Sequence, residues 1–150
     1  MRSTSVSRNV DAPVETLWSL ATDLEHWPSV ISAIERVEVL EGAGFGEGTR
    51  WRETRRMMGR EATEEMWVTE VRPGRSYTTE ADGPGVRYVT TWTFEPAGSG
   101  GTAVTFTFGA RPTGVLAKAF LTVVGGVALR SVRKAIRGDL DDLASAAERA

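Results

Sequence analysis

Between Ile34 and Arg111 the chain is cut by short glycine- and proline-bearing breaks at Gly42–Gly48, Gly59, Pro73-Gly74, Asp82–Gly85 and Pro96–Gly101. The pieces between them are rich in β-branched and aromatic residues, so the spacing predicts hairpins in place of helices. Six strands are expected, at about 34–41, 49–58, 61–71, 75–81, 86–95 and 102–111.

Both ends carry other periods. Residues 3–10 alternate as a further strand. Asp11-Ala12-Pro13 then supplies a capping carboxylate and a proline suited to a first helical turn, and Val14, Leu17, Trp18 and Ala21 follow at helical spacing. Asp23 is a second candidate cap, and Leu24–Trp27 reads as one more short turn, ended by Pro28. From about Gly114 to Glu148 the pattern predicts one long helix. It is apolar on nearly all sides through Leu129, then amphipathic with Leu129, Val132, Ile136, Leu140 and Leu143 on one face. A helix this apolar must be covered.

Hairpins also decide which residues share a face, because a one-residue slip inverts every side chain. With a turn at Gly59-Arg60, Trp51 opposes Val68, Glu53 opposes Met66, Arg55 opposes Glu64 and Met57 opposes Ala62. Arg52 with Trp67 and Thr54 with Glu65 take the other, more polar face. Loops at Arg72–Arg75 and Asp82–Gly85 carry the inner face to Tyr77, Thr79 and Ala81, and then to Val86, Tyr88, Thr90, Trp92 and Phe94. Val104, Phe106 and Phe108 join it across an odd-length loop or a bulge.

Composition removes several classes of function. The 18 basic and 20 acidic side chains leave a formal charge of −2, which gives no broad field to gather nucleic acid or anionic lipid. No cysteine is present and His26 is the only histidine, which excludes disulfides, thiolate nucleophiles, zinc ribbons, iron–sulfur ligand sets and multi-histidine metal sites. A Ser-His-Asp triad would have to run through His26, and no metal or cofactor is implied. The 150 residues would bury roughly 68% of the unfolded surface, enough for one domain over 1–150. The N-terminal residues lack the apolar stretch of a signal peptide, and the most apolar run, Ala119–Leu129, is too short to span a bilayer. A cytoplasmic protein without stable membrane insertion is expected.

Val10-Asp-Ala-Pro13-Val-Glu-Thr-Leu-Trp18, followed by Thr22-Asp23-Leu-Glu-His-Trp27-Pro28, resembles the opening of the polyketide cyclase/dehydrase-like branch of the START-related, or SRPBCC, superfamily. Gly48-Thr49-Arg50-Trp51, Val71-Arg-Pro73-Gly74-Arg75 and Gly101-Thr102 fit the same order of elements. The resemblance covers nearly the whole chain. It implies an α+β helix-grip fold, a curved seven-stranded antiparallel sheet around a long C-terminal helix with two short helices after strand 1. It also implies a cavity between sheet and helix for a hydrophobic or amphipathic small molecule. It implies no single chemistry, since one fold hosts carriers, receptors and cyclases.

The inner face offers Trp51, Met57, Met66, Tyr77, Tyr88, Trp92, Phe94, Phe106 and Phe108 as cavity wall. The terminal helix adds Leu116, Phe120 and Val124. Aromatic walls with sparse polar groups suit an apolar ligand, although the same residues would also fill a plain core. Glu53, Arg55 and Glu64 are the unexpected members. They either form a carboxylate–guanidinium cluster that orients a ligand or moves protons, or sit as a solvated ion pair near the hairpin tip. Tyr77 and Tyr88 present phenols that could bond a ligand, the backbone or water. Tyr88 joins Glu53, Arg55 and Glu64 as a candidate for acid–base chemistry.

The remaining features have simpler readings. His26 falls in a polar turn and is expected to be exposed. The Gly42–Gly48 segment fits no phosphate-loop pattern and reads as a mobile hairpin loop with Phe45 at its apolar tip. Asp139, Asp141 and Asp142 lack the glycine and distal glutamate of a calcium loop and read as a solvated helix face. Arg50, Arg52, Arg55 and Arg56 face Glu61, Glu64, Glu65 and Glu70 on the next strand, which suits cross-strand pairing better than nucleic acid. Gly125-Gly126 would bend the terminal helix or let another surface approach, which leaves room for a homodimer contact or transient membrane docking. Three functional readings follow: a carrier or sensor of a lipid, isoprenoid or aromatic polyketide-like molecule; a polyketide aromatase/cyclase or dehydratase; and a non-catalytic interaction module.

Overall fold

The computed structural model describes the backbone of residues 2–57 and 59–150 and the side chains of residues 3–56, 59–115 and 130–150. Strand β1 (Arg2–Val10) leads into helix α1 (Val14–Ala21), a 3-10 turn at Leu24–His26 and the short helix α2 (Trp27–Val30). Strands β2 (Ile34–Glu41), β3 (Arg50–Met57), β4 (Arg60–Arg72), β5 (Ser76–Gly83), β6 (Val86–Ala97) and β7 (Gly101–Pro112) follow, and helix α3 (Val115–Arg149) ends the chain. They form one curved seven-stranded antiparallel sheet in the order β1-β7-β6-β5-β4-β3-β2. This is the expected helix-grip arrangement, with β1 laid against β7 so that α1 and α3 share one side of the sheet.

The inner face is as expected, but the pairs that compose it differ. The β3–β4 turn closes between Met57 and Arg60, with Gly59 at φ 76°, so Trp51 opposes Met66, Glu53 opposes Glu64 and Arg55 opposes Ala62. Each pairing is displaced by two residues from the one expected, and a shift of two leaves every side chain on its original face. The β3–β4 turn keeps its expected two residues and only moves one position earlier, whereas the β5–β6 loop is shorter than expected, with Gly83 paired to Val86 and Ala81 to Tyr88. Between β6 and β7 the loop is odd-length: Ala97 pairs with Gly101, and Val104, Phe106 and Phe108 oppose Phe94, Trp92 and Thr90.

Strand β4 carries an irregularity between Val68 and Glu70. The extra residue moves Val71 opposite Tyr77, so an apolar side chain takes the place that strict alternation would assign to Glu70. The helix caps also depart from expectation. Pro13, not Asp11, is the N-cap of α1, and its carbonyl accepts from Thr16 N and Leu17 N at 3.1 and 3.3 Å. Asp23 does cap the 3-10 turn, but through its carbonyl, which accepts from His26 N at 3.1 Å, and not through its carboxylate. Pro28 lies in the first turn of α2, where a missing N–H leaves no helical bond unmade, and so opens that helix instead of ending a turn.

Two apolar clusters result. One joins β1, α1 and β5–β7 to the distal half of α3 through residues such as Leu17, Val104, Leu140 and Leu143. The other gathers Leu24, Trp27, Ile31, Ile34, Trp51 and Val68. Phe45 packs against both. The Gly42–Gly48 loop that carries it is folded inward, not free: buried Thr49 donates its hydroxyl to Gly44 O at 2.9 Å and accepts from Gly46 N at 3.0 Å. Phe45 meets the Tyr77 ring edge-on at 4.8 Å. Among the described residues, no helix is long and apolar enough to cross a membrane.

Candidate functional site: a cavity between the sheet and α3

A cavity of about 350 Å³ opens where the inner face of the sheet meets α3. Seven of the residues proposed for its wall lie there: Trp51, Met66, Tyr77, Tyr88, Trp92, Phe106 and Phe108. Their rings interlock, with Trp92 edge-on to Phe106 at 4.6 Å and Tyr88 tilted on Phe108 at 5.4 Å. Phe94 is the exception. It is buried beside Trp18 at 5.6 Å and stacked with Trp92 at 6.3 Å, inside the core and away from the cavity lining, because its end of β6 runs under α1. The side chains of Met57, Leu116, Phe120, Val124 and the Gly125-Gly126 pair lie outside the described residues.

Glu53, Arg55 and Glu64 line the same cavity, and the reading as a solvated hairpin tip does not hold for Glu53 and Arg55, whose side chains are 5% and 17% exposed. Their connections differ from the expected ones. Arg55 Nε donates to Glu53 Oε2 at 3.1 Å, and its Nη2 donates to Asp139 Oδ2 at 2.9 Å. Glu64 stands opposite Glu53, on the exposed rim. Asp139 is therefore no part of a solvated helix face; it is 6% exposed. Its two companions are engaged as well: Asp141 pairs with Arg8, and Asp142 accepts from the N–H and hydroxyl of Ser32 at 2.8 Å.

The sequence held a signal for Asp139 that composition hid. It falls three residues after Ile136 and seven after Val132, on the apolar stripe of α3. Trp27, Ile31 and Ile34 also line the cavity without having been expected there, since the turn containing Pro28 folds back over β3. Trp27 meets Trp51 edge-on at 5.8 Å and donates its indole N–H to Leu20 O at 3.1 Å.

Burial and charge compete in this wall. Removal from water pushes the carboxyls of Glu53 and Asp139 above their ordinary values, while Arg55 pulls both down without cancelling the rise. Burial disfavours the Arg55 guanidinium, but Asp139 and Glu53 together outweigh it and hold the group protonated. One cation thus serves two buried carboxyls. Burial also raises the Glu64 carboxyl, against Arg55, though its exposure at the rim leaves it more room to hydrate.

The two phenols divide by role. Tyr77 is wholly buried and donates to Ala21 O at 2.9 Å, which ties β5 to the end of α1. Tyr88 is half-buried and its hydroxyl has no hydrogen-bond partner among the described residues. Its ring leans over Gly83, where a Cβ would stand 2.7 Å from Cε2, so only glycine leaves the ring its place. His26 is exposed and outside the cavity lining; its bond to Asp23, 2.8 Å from Nδ1, raises its pKa. Among the surface arginines, Arg50 pairs with Glu65 on β4 as expected, whereas Arg52 turns to Glu38 on β2, at 2.7 Å each. Trp67 lies on the outer face between Arg50 and Arg87, whose guanidinium carbons stand 4.7 and 5.2 Å from its ring.

A sheet gripping a terminal helix around a mostly apolar cavity defines a helix-grip protein of the START-like, SRPBCC class. The chain belongs to the family described as polyketide cyclase/dehydrase and lipid transport, whose model matches residues 1–148. No curated protein matches it. Among solved structures, a protein from Thermus thermophilus is 23% identical with a TM-score of 0.79, each chain covered to 97%. The Zhui aromatase/cyclase from Streptomyces sp. R1128 is 21% identical with a TM-score of 0.75, over 99% of this chain and 94% of that one. A START superfamily protein from Mycobacterium smegmatis is 17% identical with a TM-score of 0.67, over 94% of this chain and 98% of that one. At these identities the likeness is one of fold.

Proposed function

We propose that this protein binds a hydrophobic or amphipathic small molecule, of lipid, isoprenoid or aromatic polyketide-like class, in the cavity between the sheet and α3. The observation that carries the reading is the cavity itself: about 350 Å³ with an aromatic wall and a few clustered polar groups, a size and lining that suit small-molecule sites. Affinity would come from burial against Trp51, Trp92, Phe106 and Phe108, and orientation from Arg55, Glu53 and Tyr88. Native mass spectrometry of protein purified from its own host tests this. A retained, unmodified small molecule is expected; protein that carries none and takes up no added apolar probe overturns it.

A second reading is favoured by one observation, the buried Glu53 carboxyl with its raised pKa beside Arg55 in the same cavity as the Tyr88 phenol, which has no hydrogen-bond partner among the described residues. Such a set suits an aromatase/cyclase or dehydratase: Arg55 and Tyr88 would polarise carbonyl groups of a folded polyketide chain while Glu53 moved a proton. Turnover of an added poly-β-keto substrate, lost in Tyr88→Phe, would select this reading over simple carriage.

A further inference from the structure

The cavity carries its charge unevenly, and this bears on which molecules it accepts; the inference rests on the ligand-binding reading above. Among the described lining residues Arg55 is the only basic side chain, against Glu53, Glu64, Glu80 and Asp139. Glu80 is answered by Arg87, which donates to it at 3.0 Å. Arg55 is in turn committed to two carboxyls, Nε donating to Glu53 and Nη2 to Asp139. An arriving anion would therefore meet a cation already shared between two buried carboxyls, with Glu64 on the rim as a third.

A ligand carboxylate would have to displace a fixed partner of Arg55 or bring its own charge beside those partners, in a wall where charges are poorly screened. A hydroxyl meets the opposite conditions. Carboxyl oxygens of Glu53 and Glu64 can accept from it, and the Tyr88 hydroxyl is unengaged among the described residues.

We propose that Glu53 and Asp139 set the specificity of this cavity by holding Arg55 neutralised, so that it takes molecules whose polar end is an uncharged hydroxyl and rejects carboxylates of the same shape. Binding a carboxylate ligand such as a free fatty acid would run against this arrangement.

Two probes with one ring system test it: 2-naphthol, neutral at pH 7, and 2-naphthoate, ionised there, each titrated calorimetrically into the intact protein. The naphthol is expected to bind at least about tenfold more tightly than the naphthoate. Asp139→Asn frees Arg55 from one carboxylate and is expected to narrow that ratio at least about threefold, through a gain for naphthoate. Should that variant fail to fold, Glu53→Gln is read in its place. Naphthoate binding as tightly as naphthol in the wild type, or a ratio unmoved by the variant, overturns the inference while leaving the cavity a binding site. Binding of neither probe overturns the ligand-binding reading itself.

Discussion

Arg55 and Asp139 stand 84 positions apart and meet at 2.9 Å, Nη2 donating to Oδ2. The contact fastens α3 to β3 and supplies the cavity with its charge, so the group that gives the site its chemistry also holds the helix to the sheet. Stability and the proposed binding are therefore coupled at this point.

Arg55→Ala should therefore destabilise the protein more than its loss of packing would suggest. It leaves Glu53 and Asp139, 5% and 6% exposed, without their cation. Stranding buried charge costs about 3–5 kcal/mol, and protonation of one carboxyl would bring the loss toward the lower figure. Urea denaturation at pH 7 measures it; a loss near zero would show that water already solvates the cluster.

The same burial fixes the sign of a pH effect. Glu53 and Asp139 have folded pKa values raised above ordinary ones of 4.5 and 3.8. An acid whose pKa is raised on folding binds its proton more tightly in the native state, so its contribution is full below the unfolded value and is lost as pH rises through the folded one. Acidification from pH 7 to 5 should thus favour wild type relative to Glu53→Gln, in denaturation midpoints measured side by side. A gap that moves the other way would mean that Arg55 dominates burial at Glu53.

The faces of the sheet were legible in the sequence because parity survives error. The β3–β4 turn sits one residue earlier than the glycine pattern suggested and the β5–β6 turn is two residues shorter, yet Trp51, Glu53 and Arg55 keep their side because each register moved by an even number. The irregularity beyond Val68 was not legible, since alternation alone puts Glu70, not Val71, on the inner face. Asp139 shows the other limit. Its spacing placed it with Ile136, but an aspartate among three near the end of an amphipathic helix looks solvated until its partner is found on a distant strand. Pairings across so many residues leave no local trace.

Tyr77 and Tyr88 should separate stability from binding. Tyr77→Phe removes the donor to Ala21 O and leaves a buried carbonyl short of a partner, a loss of about 1–3 kcal/mol with ligand affinity little changed. Tyr88→Phe removes a hydroxyl with no partner among the described residues, so denaturation should hardly move while affinity for a hydroxyl-bearing ligand falls. Equal effects of the two substitutions on both measurements would contradict this division.

Phe45 fastens the Gly42–Gly48 loop through its contact with Tyr77 and both apolar clusters. Phe45→Ala should cost about 2 kcal/mol, less than a fully buried phenylalanine because the side chain is only half-buried. Hydrogen exchange should accelerate at Gly46 and Gly48, whose amides donate to Thr49 Oγ1 and Val68 O. Unchanged protection there would show that Thr49 alone holds the loop.

Gly83→Ala tests whether the position of the Tyr88 ring matters to the cavity. The new Cβ would lie 2.7 Å from Tyr88 Cε2, 3.0 Å from Val86 Cγ1 and 3.1 Å from the phenol oxygen, and all three of those atoms belong to side chains. The ring can swing away, so the fold should survive with a loss of about 1 kcal/mol or a little more. Its hydroxyl, however, would leave the place from which it is proposed to meet a ligand in the cavity that Arg55 and Glu64 also line. Affinity should fall about as far as in Tyr88→Phe, and the double substitution should add little to either alone. Full additivity, measured as a double-mutant cycle on ligand binding, would show that Gly83 shapes the cavity through some contact other than this ring.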